Sequence, residues 1–279
     1  MKTALVLEGG AMRGIYTAGV LDKLLEENLK IDAVIGVSAG ALFGVNYLSK
    51  QHGRAIRYNK KYIKDKNYMG LYSLVKTKNI VNQDFCFNKL INELDPFDYK
   101  TFDKSKIKFY ATVTNLKTGK AEYKEIKNVK SEMDYLRASG AMPLVSEIVK
   151  IAGNEYLDGG MADSIPVLKA KEMGYDRIIV VLTRPITYRK KKSPTFPYKL
   201  YYKNYPNFLK TVNNRYKEYN KIVEEIIKLE SKKEIFVIRP SKFIKIKRLE
   251  KNITKVEAMY NLGYTDTEKQ IKNLLEYLK

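Results

Sequence analysis

The sequence predicts an α/β fold built on an open sheet with parallel strands, and three observations carry that prediction. The first fifty residues alternate short β-branched runs with segments of helical periodicity. Glycine turns follow the first two strand-like runs, at the carboxyl ends where open α/β sheets place their sites. Apolar runs of strand length recur further on, at 107–116, 176–184 and 233–240.

In chain order, TALVLE at 3–8 is short, β-branched and apolar, as a buried parallel strand should be. Gly9 and Gly10 end it. From Ile15 to Glu27, Val20, Leu21, Leu24 and Leu25 recur at helical spacing with acidic residues between them. A second strand over about 31–37 and a helix over 39–50 complete a right-handed βαβ unit. Residues 53–105 are mixed, and a helical covering layer is expected there. IKFYATVTNL (107–116) reads as a strand with KAEYKEI (120–126) as its hairpin partner. A helix over 133–142 ends near Pro143, and EYLDGGMAD (155–163) is a strand end and turn. A helix at 167–174 closes on Gly174, another buried strand follows at 176–184, and the last strand is expected at 233–240. Residues 254–279 read as a terminal amphipathic helical region.

A chain of 279 residues suits one large α/β domain, or one domain with a small appendage. It is 44% hydrophobic, enough for a sizeable core, and its charged fraction comes with many aromatics, which argues against disorder. The 52 Lys and Arg outnumber 31 Asp and Glu, for a net charge of +21. Such a surface favours anionic partners such as nucleic acid, acidic lipid headgroups or phosphorylated substrates. Richness in Lys, Asn, Ile and Tyr without Trp, as an AT-rich genome produces, accounts for the excess equally well. One cysteine, Cys86, excludes an internal disulfide framework and fits a reducing cytosol. No apolar run approaches the ~18–20 residues needed to span a bilayer, and MKTALVLEGGAMRG is a poor signal peptide. A cytoplasmic location, with peripheral contact to membrane, is therefore expected.

Residues 184–221 differ in composition, holding basic residues and a single acidic one, Glu218, with tyrosines and phenylalanines interleaved. Pro185, Pro194, Pro197 and Pro206 interrupt regular structure, so a surface excursion between two strands is expected. Lys and Arg there would meet anionic headgroups while Tyr and Phe sit at the lipid boundary. A solvated insertion accounts for the segment as well. Nucleic-acid binding ranks last, because no recognisable nucleic-acid fold accompanies it.

Gly36-Val37-Ser38-Ala39-Gly40, between an apolar strand and a helix of small residues, has the context of a nucleophile elbow. Gly36 and Gly40 relieve crowding around a serine in a tight turn, and the following helix points its positive end at the site. Such a serine needs a base, and the chain's one histidine, His52, lies about fourteen residues on, roughly 20 Å along the helix. A base must come within about 3 Å, so a Ser-His-Asp triad is excluded and Asp, Glu or Lys are the candidates. Gly9-Gly10-Ala11-Met12-Arg13-Gly14 forms a glycine turn that fits neither the dinucleotide nor the Walker pattern. Its adjacent amides make an anion nest, with Arg13 as a bidentate donor, and parallel neighbouring strands would set it beside Ser38 as an oxyanion hole. In Asp158-Gly159-Gly160 the glycines let Asp158 project from a strand end, although the same tripeptide is a common structural turn.

Gly-Gly-x-x-Arg-Gly at 9–14, Gly-x-Ser-x-Gly at 36–40 and Asp-Gly-Gly at 158–160 together resemble the patatin-like phospholipase family. The block ASGAMPLVSEIVKIAGNEYLDGGMADSIPV (138–167) is similar to the family as well, and the resemblance covers roughly 3–184. It implies a three-layer α/β/α fold with a mostly parallel central sheet. A catalytic core over 1–184 would carry a C-terminal extension over 185–279, packed on the same domain. It further implies a Ser-Asp dyad, with Ser38 as nucleophile and Asp158 as its base. Amides near Gly9, Gly10 and Ala11 would hold the oxyanion, with Arg13 and Gly14 supporting the loop or a phosphate. No metal and no cofactor are called for. The family usually has a third glycine where Ala11 stands; alanine tolerates positive φ poorly, which would shift the loop. The implied activity is hydrolysis of fatty acyl esters of phospholipids or related lipids. An esterase, thioesterase or acyltransferase on soluble acyl donors is the alternative within enzymes, and a non-catalytic lipid- or anion-binding protein the alternative outside them.

Overall fold

The computed structural model describes residues 1–279. In chain order the elements begin with β1 (Thr3–Leu7), a 3₁₀ turn at Ala11–Gly14, α1 (Ile15–Glu26), β2 (Ala33–Val37) and α2 (Ala39–Leu48). The expected covering layer follows as α3 (Arg54–Tyr62), α4 (Leu71–Thr77), a π-helix at Phe85–Leu94 and α5 (Tyr99–Lys104). Next come the hairpin β3 (Lys108–Asn115) and β4 (Ala121–Glu125), then α6 (Met133–Gly140), β5 (Val149–Ile151) and β6 (Asn154–Asp158). The chain closes with α7 (Val167–Glu172), β7 (Arg177–Val181), α8 (Phe196–Tyr201), α9 (Pro206–Ser231), β8 (Phe236–Ile238) and α10 (Ile253–Tyr277).

The strands form one sheet in the order β5-β6-β3-β2-β1-β7-β8, with β4 also paired to β3. The β2–β1, β1–β7, β2–β3 and β7–β8 pairs are parallel, and β4, β5 and β6 form the antiparallel end. The central strands are buried on both faces, which explains their continuous apolar runs. Alternate residues then serve opposite layers. Leu5 and Leu7 pack with α1, α2 and α10, whereas Ala4 and Val6 pack with α7 and α9. Helices thus cover both faces of a mostly parallel sheet.

The segment 184–221 is less of a surface excursion than its composition predicts. Pro206 occupies the first turn of α9, where a missing N–H costs nothing, so it starts a helix rather than breaking one. Tyr202 and Phe208 are buried against Val113 and Leu157, and Tyr219, Val223 and Ile226 line the apolar stripe of α9 against the sheet. Phe196, Leu200 and Tyr201 on α8 do face solvent.

The last helix is locked to the first by close backbone contact. A Cβ on Gly19 would lie 2.1 Å from the Tyr260 carbonyl oxygen, and one on Gly263 would lie 2.1 Å from that of Tyr16. Hydrogen bonds run both ways across the crossing: Tyr16 donates to Asp266 (3.1 Å), Tyr260 to Asp22 (2.7 Å) and Tyr264 to Glu26 (2.7 Å). An exposed helical Gly→Ala change normally gains about 1 kcal/mol. Here the added methyl has no room, so Gly263→Ala is expected to lose at least about 1–3 kcal/mol by overpacking. Urea unfolding reads this directly, and a gain in stability would show that α1 and α10 do not meet this closely.

Candidate active site

Ser38 sits between β2 and α2 at φ 53°, ψ −123°, a strained conformation for a residue with a side chain. Such geometry costs on the order of 1–3 kcal/mol and persists only when the surroundings enforce it. Here the enforcement is close packing. A Cβ on Gly36 would meet the Ala41 Cα at 2.5 Å, and one on Gly40 would meet the Leu7 carbonyl at the same distance. Both motif glycines are therefore required by approach of backbone to backbone. The Ser38 N–H donates to the Ser139 hydroxyl (2.9 Å), which in turn donates to the Thr112 carbonyl (2.8 Å). Ser139, on α6, thus ties the turn to β3. Its position inside a run of small residues carried no signal of this role.

Asp158 ends β6, which is antiparallel to β3 with Val113 opposite Asp158, while β3 runs parallel to β2. One strand therefore separates the serine from the aspartate, although 120 positions separate them in sequence. The Ser38 hydroxyl donates to Asp158 Oδ2 at 2.7 Å, and the Gly160 N–H donates to Oδ1 at 2.8 Å. Gly159 starts the turn beneath, packed on the Thr112 carbonyl. Asp158 is 7% exposed, and burial pushes its carboxyl above the ordinary aspartate range. The Ser38 and Gly160 hydrogen bonds and the Arg215 cation pull it partly back. Arg215, on α9, donates from Nε to the Gly160 carbonyl at 2.6 Å. Nothing local distinguishes it from the other basic residues around it, and only the packing of α9 brings it here.

The glycine loop lies where parallel β1 and β2 put it. A Cβ on Gly9 would stand 3.1 Å from that of Ser38, and Gly14 packs against Ala39. The expected shift at Ala11 does not occur by avoiding positive φ: Ala11 adopts φ 47° and bears the strain. The loop is held by Arg13 N–H to the Gly10 carbonyl (3.1 Å) and Met12 N–H to the Arg248 carbonyl (3.4 Å). The N–H groups of Gly9, Gly10 and Ala11 donate to no acceptor within the protein, so they are free for an oxyanion. Below them Glu8 is fully engaged by the Thr183 N–H (2.5 Å), the Thr183 hydroxyl (3.0 Å) and the Tyr219 hydroxyl (2.7 Å). Arg13 faces the cleft, its Nε buried without a partner, and burial and Arg184 lower its guanidinium to about 10.

His52 follows α2 and pairs with Glu26, at the end of α1, at 3.0 Å; it is no part of this cluster. Two cavities meet at Ser38. An apolar pocket of about 150 Å³ runs behind it, and twenty of its twenty-five lining residues are hydrophobic, among them Leu42, Phe43, Leu90 and Leu136. A polar cleft of about 920 Å³ opens in front, bordered by Gly9, Gly10 and Asp158.

The family model described as patatin-like phospholipase matches residues 5–171, and a model described as a domain of unknown function matches 205–279. The uncharacterized protein YjjU of Escherichia coli is 30% identical over 190 residues, covering 66% of this chain and 52% of that protein. Lysophospholipase nte1 of Emericella nidulans is 31% identical over 189 residues, 63% of this chain and 12% of its own length. Lysophospholipase NTE1 of Cryptococcus neoformans is 30% identical over 194 residues, 64% of this chain and 11% of its own length. The chain thus spans about half of the bacterial relative and a small part of the fungal ones.

Two outcomes are expected. Ser139→Ala leaves the Ser38 amide buried without its acceptor, a loss of about 1–3 kcal/mol in urea unfolding. For Asp158, the proton is held more tightly in the folded chain than in the unfolded one. Its contribution to stability is then full below the ordinary value of about 4 and is lost as pH rises through the raised folded value. Asp158→Asn cannot ionise, so its melting temperature should gain on the native chain's as pH climbs through that window. Parallel thermal melts check this, and a pH-independent difference would count against a desolvated carboxylate.

Proposed function

The chain belongs to the patatin-like phospholipase family, and from that premise we propose that it is a serine acyl hydrolase cleaving fatty acyl esters of phospholipids or related lipids through a Ser38–Asp158 dyad. The 2.7 Å hydrogen bond from Ser38 to a buried carboxylate, at the mouth of an apolar pocket, carries this reading. As Ser38 Oγ attacks the ester carbonyl, Asp158 Oδ2 takes its proton. An aspartate is a weak base at its ordinary value of about 4. Burial strengthens it, while Gly160 and Arg215 keep it in place and allow it to ionise. The amides of Gly9, Gly10 and Ala11, which have no competing acceptor, would receive the developing oxyanion, and the N-terminus of α2 adds its dipole. Asp158 returns the proton to the departing alkoxide, leaving the acyl chain on Ser38 Oγ in the apolar pocket. A water then gives its proton to Asp158 and attacks the acyl-enzyme. The fatty acid leaves, and Ser38 recovers its proton.

Access to lipid suits the rim of the cleft. Phe243 and Tyr198 of α8 border it, and α4 is joined to it through Gly70 N–H to the Ile80 carbonyl (2.8 Å) and Ile80 N–H to the Val145 carbonyl (2.7 Å). Leu71 and Val75 on α4 and Phe196 and Leu200 on α8 are exposed apolar side chains. Together with the exposed Lys192, Lys199 and Lys203 they fit docking on an anionic membrane surface. No helix is long and apolar enough to cross a membrane.

A fluorophosphonate probe is expected to label the native chain at Ser38. Labelling and ester hydrolysis should both fall by at least about a thousandfold in Ser38→Ala and Asp158→Asn. Undiminished hydrolysis in either folded variant would falsify the dyad. The double variant Phe196→Asp, Leu200→Asp is expected to weaken flotation with anionic liposomes while leaving thermal stability intact.

A further inference from the structure

The cleft in front of Ser38 carries far more positive charge than the chemistry at Ser38 uses. Arg13, Arg184, Arg189, Lys190, Lys191, Arg215 and Arg248 all line it, and Asp158 is the only carboxylate that does. Clustered cations are ordinarily neutralised by nearby acids, and here that has not happened. Arg189 pairs with Glu224 at 2.6 Å, but none of the other six takes part in an ion pair. Glu8 attracts Arg13 and Lys190 from beneath the loop, but its oxygens are hydrogen-bonded to Thr183 and Tyr219 and it forms an ion pair with neither cation. The Arg13 Nε is buried without an acceptor, and Arg215 has one protein hydrogen bond, to the Gly160 carbonyl. Burial, with repulsion from Arg215 and Arg13, outweighs the attraction of Glu8 and Asp158 and pushes the Lys190 ammonium down to about 7. A bound dianion would reverse that push.

The same cleft is a poor host for a quaternary ammonium, because its unpaired cations repel a further positive charge. Of the aromatic rings on the cleft, Tyr188 is already covered by the Arg184 guanidinium at 4.1 Å, which leaves Tyr198 and Phe243. Apart from Arg13, the cationic lining lies beyond residue 171, outside the matched family region. Arg215 and Arg248 fall in the 205–279 segment. The subsite is therefore a contribution of the C-terminal third to an N-terminal catalytic cluster.

We infer that this cleft is a headgroup subsite for acyl lipids bearing a phosphomonoester, recognised by Arg184, Lys190, Arg215 and Arg248, with the acyl chain in the apolar pocket on the other side of Ser38. It rests on the acyl-hydrolase reading of Ser38. A phosphomonoester carries about −1.5 to −2 charges and three acceptor oxygens, which suits several unpaired cations better than a zwitterion does.

The test compares 1-oleoyl lysophosphatidate, 1-oleoyl lysophosphatidylcholine and 1-monooleoylglycerol in neutral detergent micelles at fixed ionic strength. The native chain should show kcat/KM at least about tenfold higher for lysophosphatidate than for lysophosphatidylcholine. Lys190→Gln and Arg248→Gln should each lose at least about tenfold more on lysophosphatidate than on monooleoylglycerol. Equal rates on the two phospholipids, or equal losses on charged and neutral esters, overturn the subsite. Calorimetry on Ser38→Ala, which does no chemistry, reads the site apart from the reaction. Glycerol 3-phosphate should bind more tightly than inorganic phosphate, and both should weaken with Lys190→Gln added. Inorganic phosphate binding as tightly as glycerol 3-phosphate would mean a free-phosphate site and overturn the lipid assignment. If the native chain cleaves none of the three esters and Ser38 takes no fluorophosphonate, the hydrolase reading falls instead, whatever calorimetry finds.

Discussion

The short hydrogen bond between Ser38 and Asp158 is the interaction around which the remaining structure is organised. It joins two turns that share no local sequence, and it exists because β3 lies between the strands that end in them. Each partner is also held by contacts other than the bond itself. Ser38 is held by Ser139 and by glycines that admit backbone at contact distance; Asp158 is held by its own amide on the Ala141 carbonyl and by Gly160. A loose serine or a solvated aspartate would forfeit the bond's geometry or the carboxylate's basicity. Rigid strands and dry surroundings are therefore conditions of the site as much as of the core.

That arrangement draws on stability. Ser38 and Ala11 occupy backbone conformations that side chains disfavour, and an ionisable carboxyl is buried beside Ser38. The surrounding packing offsets these costs. Central strands are buried on both faces, and α10 closes against α1 through two glycines and three tyrosine–carboxylate hydrogen bonds. Since α1 begins directly after the glycine loop, tightness at that crossing bears on the loop as well.

Charge divides the site into two halves. Behind Ser38 the lining is apolar; in front it is cationic and almost without acids. Much of the net positive charge visible in composition is spread over the surface, but seven cations gather at one cleft around a single lining carboxylate. Composition alone could not separate these cases, because a genome bias toward lysine and a built anion site raise the same total.

Much of the fold was legible in sequence, and the reason is local. A buried parallel strand reads as a short continuous β-branched run, as at 3–7 and 33–37, and a helix announces itself by periodicity, as in α1. The turn at Ser38 and the glycine loop are local as well, since paired glycines around a serine and adjacent amides are features of a few residues. Exclusion of His52 was legible for the same reason, because a helix has a fixed rise. The segment 184–221 misled because prolines and charge describe the chain's surface-facing residues, while its buried tyrosines answer to distant partners. Ser139 and Arg215 left no local trace. By itself, then, the sequence determined the leading βαβ unit, the β3–β4 hairpin, the strand at β7 and the two turns that lie side by side at the ends of β1 and β2. Only the tertiary structure decided that Asp158 meets Ser38, that Ser139 and Arg215 hold them, and that the C-terminal cations converge on the cleft. Those contacts depend on strand order, register and helix docking, which arise from packing over the whole chain and not from any short stretch of it.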